Sequence, residues 1–513
     1  MQKLYTKNYI QIYIWRSISI ISGFLSLLIV VPHLSNNQEL YGIYAFCISF
    51  SLYLTYADIG FLGAGQKYAS EEFARGNRNE EIKILGFTGA ILLLMVLPFS
   101  FAMIYFSFRP EMIINDLSKE GQKIAGSIFL IIGVLSPFQV IIQRLVQSIL
   151  IIRIKDYISL RIDIAFNLLK IVSVFFFFAK GRYMVVEYFL FISLMTIFSS
   201  LIVLSIIKRT ENYDFIKLLK SIRLTKKYYH FTKKLAFSSL FLTIGWLIYY
   251  ELDLIVIGKW FGPHEVAIYA IGFTFLNFLR TLWNTVFSPY AQRFNHFAGN
   301  GEMLEMKTLI TKIIDYTFPL CILTTLVLVI GAKYIVLLWV GPDYNDSIII
   351  LQLLILGTGF GFITQPASYY FISKTKYKFI YLNAMFLPIV FFIGVITLTP
   401  AIGLSAFALS KSAAMFAGFI ISILGLATIV NPIKLMSKWI LALIVASGFL
   451  IYIIPIALTE IFKVQNKNSF LLAILVLLLG GTLGLSYFLI LLTKKQQRSE
   501  MKLNFNKIIQ RIR

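Results

Sequence analysis

The chain has 513 residues, of which 58% are hydrophobic and only 14% charged, and its mean hydropathy is +0.80. Because a water-soluble domain cannot bury that much apolar surface, the composition excludes a soluble protein and predicts a membrane protein. A formal net charge of +23 would indicate a nucleic-acid partner in a soluble chain. Here the basic residues cluster at the ends of apolar segments, so no nucleic acid is expected.

The apolar segments predict transmembrane helices. A bilayer core about 30 Å thick needs roughly 20 apolar residues per helix, and windows of that length predict an all-α polytopic protein with about fourteen spans. In chain order the predicted spans cover residues 9–31, 40–63, 84–106, 124–149, 158–178, 186–207, 235–257, 265–289, 308–330, 346–372, 377–398, 402–429, 437–459 and 468–492.

The basic residues predict the orientation of these spans. Of the 47 Lys and Arg residues, about two thirds fall in one set of alternate loops and termini and about one fifth in the other. The positive-inside rule therefore predicts that both termini are cytoplasmic. The two cysteines, Cys47 and Cys321, stand alone in apolar segments, so neither a metal site nor a cofactor is expected.

A basic linker and an internal repeat predict the domain organisation. The densest basic cluster, residues 208–234, is expected to lie on anionic lipid headgroups, with a merely solvated linker as the alternative. The Ile-Tyr-Ala triplet of residues 43–45 recurs at 268–270, each time early in an even-numbered span. The predicted organisation is an N-lobe at 1–207, the linker, a C-lobe at 235–429, two further spans within 430–492 and a basic cytoplasmic tail at 493–513.

Four short motifs stand near the ends of particular spans. Glu39-Leu40-Tyr41-Gly42-Ile43-Tyr44 follows the first span, Asp58-Ile59-Gly60-Phe61 and Gln66-Lys67-Tyr68-Ala69 close the second, and Leu252-Asp253-Leu254-Ile255-Val256-Ile257-Gly258 closes the seventh. With these motifs in this order, the chain resembles the O-antigen-type polysaccharide flippases of the multidrug/oligosaccharidyl-lipid/polysaccharide exporter superfamily.

The resemblance implies a transporter without enzymatic activity in the bacterial inner membrane. Its two lobes would enclose a cationic cavity that opens alternately to each side, and its cargo would be an undecaprenyl-diphosphate-linked oligosaccharide such as an O-antigen or capsule repeat unit. A glycan polymerase and a chain-length regulator are the implied protein partners. Lipid II flippases of the superfamily have fourteen helices, so a lipid II or teichoic-type cargo is an alternative.

The basic residues inside the predicted spans indicate what charge the transported molecule has. They are Arg16, Arg144, Arg161, Lys170, Arg280, Lys312 and Lys411. Since each costs about 2.5–3.5 kcal/mol at the bilayer centre, they must pair, snorkel or face water. Arg161 lies near the cytoplasmic end of its span with Asp163 nearby, so pairing or snorkelling is expected, whereas Lys170 and Arg280 lie mid-span and need an aqueous lining.

Two polar stripes accompany the mid-span cations. They consist of Asp163, Asn167 and Lys170 on the fifth span, and of Asn277, Arg280 and Asn284 on the eighth. A stripe of this kind either lines a wet cavity or binds a neighbouring helix through hydrogen bonds. The cavity is favoured because no carboxylate is predicted beside Arg280.

A diphosphate would supply the missing anion, since the planar guanidinium fork matches phosphate oxygens. The predicted substrate-binding residues are Arg280 first, then Arg16, Lys170 and Lys411, with Asn277, Asn284, Asn167 and Arg144 beside them. The carboxylates assigned to ion coupling or to structure are Asp253, Asp58 and Asp163, and a structural cap or ion pair is favoured for Asp253.

Two other functions are weighed against flipping. A membrane glycan polymerase would need a sizeable outer loop to hold two substrates, yet every predicted outer loop is under about 20 residues. A drug or ion antiporter for cationic substrates would need acidic residues deep in its cavity, whereas the charges predicted inside these spans are mainly cationic.

Overall fold

The computed structural model describes residues 2–54, 56, 60–179 and 182–462. Within these residues all regular structure is helical, which confirms the predicted all-α membrane fold. The chain divides into two compact units, Met1–Ala270 and Ile271–Arg513. The predicted lobe boundaries at 207 and 235 remain a prediction.

Among its described residues the first unit contains ten α-helices and the beginning of an eleventh. They are α1 Gln2–Leu34, α2 Gln38–Leu54, α3 Phe61–Ala74, α4 Arg78–Phe108, α5 Lys119–Ile152, α6 Tyr157–Phe177, α7 Val185–Glu211, α8 Phe215–Lys220, α9 Lys226–Tyr250, α10 Asp253–Trp260 and α11 Pro263–Gly299, which crosses into the second unit. The second unit continues with α12 Met303–Trp339, α13 Ser347–Thr358, α14 Gly361–Ser373, α15 Tyr377–Ile402, α16 Ser405–Leu426 and α17 Pro432–Phe462.

Thirteen of the predicted spans correspond to a helix or to a consecutive helix pair, and the fourteenth, 468–492, lies outside the described residues. By length and hydropathy alone, 8 helices of the described chain could cross a membrane, or 11 if each bent pair is one span. Two predicted spans fall short of those criteria. Helix α2 has only 17 residues, and α6 carries Arg161, Asp163 and Lys170.

Three predicted spans are interrupted in the described structure, and in the one at 235–257 α9 ends at Tyr250 and α10 begins at Asp253. The span at 40–63 ends early, because α2 stops at Leu54 and α3 begins after Gly60, whose φ of 76° is accessible to glycine at little cost. Gln66 to Ala69 therefore belong to a separate helix. The span at 346–372 comprises α13 and α14, which meet at an angle of 41°.

Local sequence signals place several helix starts. The side chain of Asn77 accepts a hydrogen bond from the Glu80 amide at the start of α4, and Ser118 Oγ accepts one from the Gly121 amide at 2.9 Å at the start of α5. Asp214 Oδ1 accepts the Lys217 amide at 2.9 Å and so begins the short α8 within the basic linker.

The two units repeat one order of packing. In the first unit α4 packs on α5, α5 on α7, and α7 on α6. In the second unit α12 packs on α13 and α14, this pair packs on α16, and α16 packs on α15. This correspondence is what a duplicated helical lobe would produce. Helix α17 packs on α12, where Trp439 Nε1 donates to Asp315 Oδ1 at 2.9 Å in a buried position.

Candidate functional site

The polar stripe of α11 lies in the second unit. Asn277 and Arg280 are half-buried, and Asn284, one turn further, is exposed. The hydroxyl of Tyr369 on α14 donates to Asn284 Oδ1 at 3.2 Å, which places the polar face of α11 beside α14. The structure thus brings these three predicted residues together on one face.

Helix α14 adds a group that the sequence analysis missed. Gln365 lies one turn before Tyr369, on the same face of α14. Its Oε1 and the Oδ1 of Asn277 are buried, and neither has a hydrogen-bond partner among the described residues. A buried acceptor without a donor costs about 1–3 kcal/mol, so these oxygens require water or a ligand with hydroxyl or amide donors. The only sequence signal for Gln365 was a polar residue inside an apolar span.

Lys411 occupies a different environment from Arg280. Its side chain on α16 is 0% exposed, and Nζ lies 5.0 Å from the Phe273 ring centroid and 5.3 Å from that of Phe391. Aromatic faces stabilise a buried cation through their quadrupoles. In this conformation Lys411 is enclosed by protein, so contact with a cargo would require its surroundings to open.

The stripe of α6 is bonded to neighbouring helices. Asn167 Nδ2 donates to Ser22 Oγ of α1 at 2.8 Å, and Lys170 Nζ donates to Thr196 Oγ1 of α7 at 2.7 Å. Asp163 accepts from Ser199 of α7 at 3.2 Å and interacts electrostatically with Lys170. These contacts correspond to the helix-bridging alternative that the sequence left open, and the aqueous lining expected for Lys170 stays a prediction.

The remaining predicted cations lie in the first unit. Arg16 on α1 forms an ion pair at 3.3 Å with Asp156, which directly precedes α6, and its side chain is 47% exposed. Arg16 is thus paired in the described structure, which is one of the three outcomes expected for the span cations, and its role in substrate binding stays a prediction. Arg144 is half-buried on α5, where its carbonyl accepts the Ser148 hydroxyl at 2.7 Å.

The predicted acidic residues have mainly structural contacts. Asp253 is fully buried at the first position of α10, and its Oδ2 accepts the Tyr269 hydroxyl at 2.5 Å. Glu251 is buried two residues earlier and accepts the Tyr56 hydroxyl at 3.5 Å. Asp58 lies outside the described residues. Within the described ranges no cluster of His, Cys, Asp and Glu could hold a metal ion.

Comparison with solved structures identifies the fold. The lipid II flippase MurJ in an inward closed conformation is similar over 94% of this chain and 98% of that chain, with a TM-score of 0.68 and 17% identity. An inward-facing multidrug resistance MATE family transporter of the MOP superfamily matches 82% of this chain and 99% of that chain, with a TM-score of 0.62 and 13% identity. The eukaryotic MATE transporter AtDTX14 matches 85% and 98%, with a TM-score of 0.57 and 13% identity.

Sequence comparison alone gives no such match: no protein-family profile matches the chain, and no curated protein is significantly similar to it. The chain is thus a multi-pass membrane protein whose fold is similar to those of the MurJ structure and of these MATE family structures, at identities of 13–17%.

Proposed function

We propose that this protein is a flippase that moves an undecaprenyl-diphosphate-linked oligosaccharide, such as an O-antigen or capsule repeat unit, across the bacterial inner membrane by alternating access. The observation that carries the proposal is the α11–α14 face of the second unit, where Arg280 lies between Asn277 and Asn284. A guanidinium binds a diphosphate through paired N–H donors. The buried amide oxygens of Asn277 and Gln365 are suitable acceptors for sugar hydroxyl groups.

The direction of transport follows from the charge of this cargo. Two negative charges that move outward across an inside-negative potential of about 100 mV release about 4.6 kcal/mol. This free energy biases export without a cofactor or a second substrate. Both termini would lie in the cytoplasm, as the distribution of basic residues predicts.

Anionic lipids are proposed as partners of the basic linker, residues 208–234. On α8, Leu218 packs into the core of the first unit, whereas Ile216 and Leu219 are 68% and 67% exposed and alternate with Lys217 and Lys220. Apolar side chains that project between lysines are typical of a segment lying at the headgroup level of an anionic membrane. A glycan polymerase and a chain-length regulator remain proposed protein partners.

A lipid II or teichoic-type flippase is the alternative that the fold favours, since the MurJ structure matches nearly the whole chain. The diphosphate chemistry proposed for Arg280 is the same for both kinds of cargo, and the glycan distinguishes them. A drug or ion antiporter has less support, because buried Asp253 is engaged by Tyr269 next to the break between α9 and α10.

The test is transport by Arg280→Ala in proteoliposomes that contain an undecaprenyl-diphosphate-linked oligosaccharide. Loss of charge-assisted hydrogen bonds to the diphosphate should lower the flipping rate about tenfold or more, and Arg280→Lys should fall between wild type and Arg280→Ala. Arg293→Ala, at an exposed position of the same helix, is the matched control and should flip at the wild-type rate. Wild-type flipping by Arg280→Ala at equal protein abundance would overturn the proposed role.

A further inference from the structure

The seam between α1 and α6 contains a guanidinium held by aromatic rings. The Arg161 guanidinium carbon lies 4.8 Å from the ring centroid of Trp15 on α1 and 5.1 Å from that of Tyr157, one turn earlier on α6. Contact with two rings stabilises the cation and fixes its position. The side chain nevertheless remains exposed.

The described residues leave the hydrogen-bond donors of Arg161 available. Within the described ranges no hydrogen bond or ion pair engages its guanidinium. Of the two expectations for Arg161, pairing with Asp163 or snorkelling, the described contacts do not include the pairing, and the Asp163 carboxylate accepts from Ser159 and Ser199. Aromatic rings stack on the flat sides of a guanidinium. Its five N–H donors lie in the guanidinium plane and therefore remain available for hydrogen bonds.

A second arginine lies at the same seam. Arg16 directly follows Trp15 on α1, and its partner Asp156 directly precedes Tyr157, so the ion pair of Arg16 is one residue along the chain from each of the two rings that contact Arg161. Two guanidinium groups and one carboxylate leave a net positive charge on an exposed surface. Arg161 occupies the fifth position of α6, whose first turn is cytoplasmic in the predicted topology.

We propose that Arg161, held between Trp15 and Tyr157 and assisted by Arg16, binds the phosphate group of a lipid headgroup at the cytoplasmic end of the α1–α6 seam. The proposal rests on the proposed function in one respect: the lipid would be the undecaprenyl diphosphate of the cargo, received here before transport. An ordinary anionic phospholipid has the same phosphate chemistry and is the other source. Unlike the α11–α14 face, this site lies in the first unit and involves no mid-span cation.

The experiment measures lipid binding to the purified full-length chain by native mass spectrometry, with undecaprenyl diphosphate and phosphatidylglycerol as separate probes. Removal of the paired charge-assisted donors in Arg161→Ala should weaken undecaprenyl diphosphate binding about tenfold or more, and Arg161→Lys should recover only part of it. Arg75→Ala, exposed at the end of α3, is the matched control and should bind as wild type does. Trp15→Leu should weaken binding less than Arg161→Ala, because it releases the guanidinium without removing it.

The outcomes separate this proposal from the proposed function. If Arg161→Ala loses undecaprenyl diphosphate but retains phosphatidylglycerol, the site binds the cargo. If it loses phosphatidylglycerol instead, the phosphate site is upheld with phospholipid as its ligand. Unchanged binding of both lipids by Arg161→Ala overturns the proposal, whatever the flipping assay of Arg280→Ala shows.

Discussion

Arg153, at the end of α5, belongs to a buried charge cluster of the first unit. Its Nη1 lies 2.8 Å from Glu81 Oε1 and its Nη2 3.1 Å from Glu81 Oε2, and the two side chains are 2% and 0% exposed. Nε lies 3.5 Å from Glu211 at the end of α7. Burial raises the pKa of Tyr213, which keeps the phenol neutral while its ring covers the guanidinium at 5.2 Å. The cluster ties the ends of α4, α5 and α7 together.

Removal of the Glu81 charge should destabilise the protein, because the Arg153 guanidinium then stays buried without its main carboxylate partner. Glu81→Gln leaves the more distant Glu211 as the one carboxylate that the described chain places beside the buried guanidinium, and should lower the free energy of unfolding by about 3 kcal/mol. The readout is the apparent melting temperature of the full-length chain in one detergent. Arg75→Ala, which breaks an exposed ion pair with Glu72 on α3, is the control and should cost about 0–1 kcal/mol.

A combined variant separates the ion pair from the packing. Glu81→Leu together with Arg153→Met replaces the pair by apolar side chains and should recover most of the stability lost in Glu81→Gln, because neither charge is then left uncompensated. Equal melting temperatures for Glu81→Gln and Arg75→Ala would contradict the assignment of a buried cluster.

At the residue level the sequence predicted which residues share one face of a helix better than it predicted the residues of other helices that contact them. The stripe of Asn277, Arg280 and Asn284 followed from helical periodicity, and the structure keeps it on one face of α11. The partner Tyr369 on α14 lies 85 residues beyond Asn284, and such a distant partner left no periodic signal. Arg161 shows the same limit, since a nearby carboxylate in the sequence suggested an ion pair while the aromatic ring of Trp15 came from another helix.

At the scale of elements, a glycine of the repeated segment allows two helices to touch. A Cβ atom added to Gly42 on α2 would lie 1.7 Å from the carbonyl oxygen of Pro263, where α11 begins. Because the obstructing atom belongs to the backbone, Gly42→Ala must push the helices apart and should destabilise the chain by about 1–3 kcal/mol. Thermal melting in detergent measures this effect.

Gly23→Ala on α1 is the matched control, since an added Cβ there meets nothing within 4 Å in the described chain. Its higher helix propensity should leave stability unchanged or raise it by up to about 1 kcal/mol. Equal melting temperatures for Gly42→Ala and Gly23→Ala would refute the close packing at Gly42.

Helix breaks were the elements that hydropathy could not predict. The segment from α2 to α3 and the segment from α13 to α14 are each apolar enough to resemble one span, yet both are interrupted. A window of about 20 residues averages over a turn of a few residues, so the average retains the apolar character and loses the break. Gly60 and the Gly359–Gly361 region were the available signals, because glycine tolerates positive φ and weakens a helix.

At the scale of the whole molecule, the fold was predictable from composition and the order of apolar windows, because a bilayer allows few architectures. The recurrence of one packing order in both units agrees with the repeated triplet at 43–45 and 268–270. The identity of the cargo is less accessible, since it depends on a few polar groups from separate helices and not on the pattern of spans.

The orientation in the membrane gives a prediction for the whole chain. Native Cys47 and Cys321 are buried and should react with no external maleimide, so single introduced cysteines report their own side of the membrane. Lys220→Cys in the linker and Glu302→Cys before α12 should be labelled by a membrane-impermeant maleimide only after permeabilisation, whereas Glu111→Cys should be labelled in intact cells. The positive-inside rule would fail for this chain if the pattern were reversed. A mixed pattern with Lys220 and Glu302 on opposite sides would instead refute the parallel repeat, because an even number of predicted spans separates the two positions.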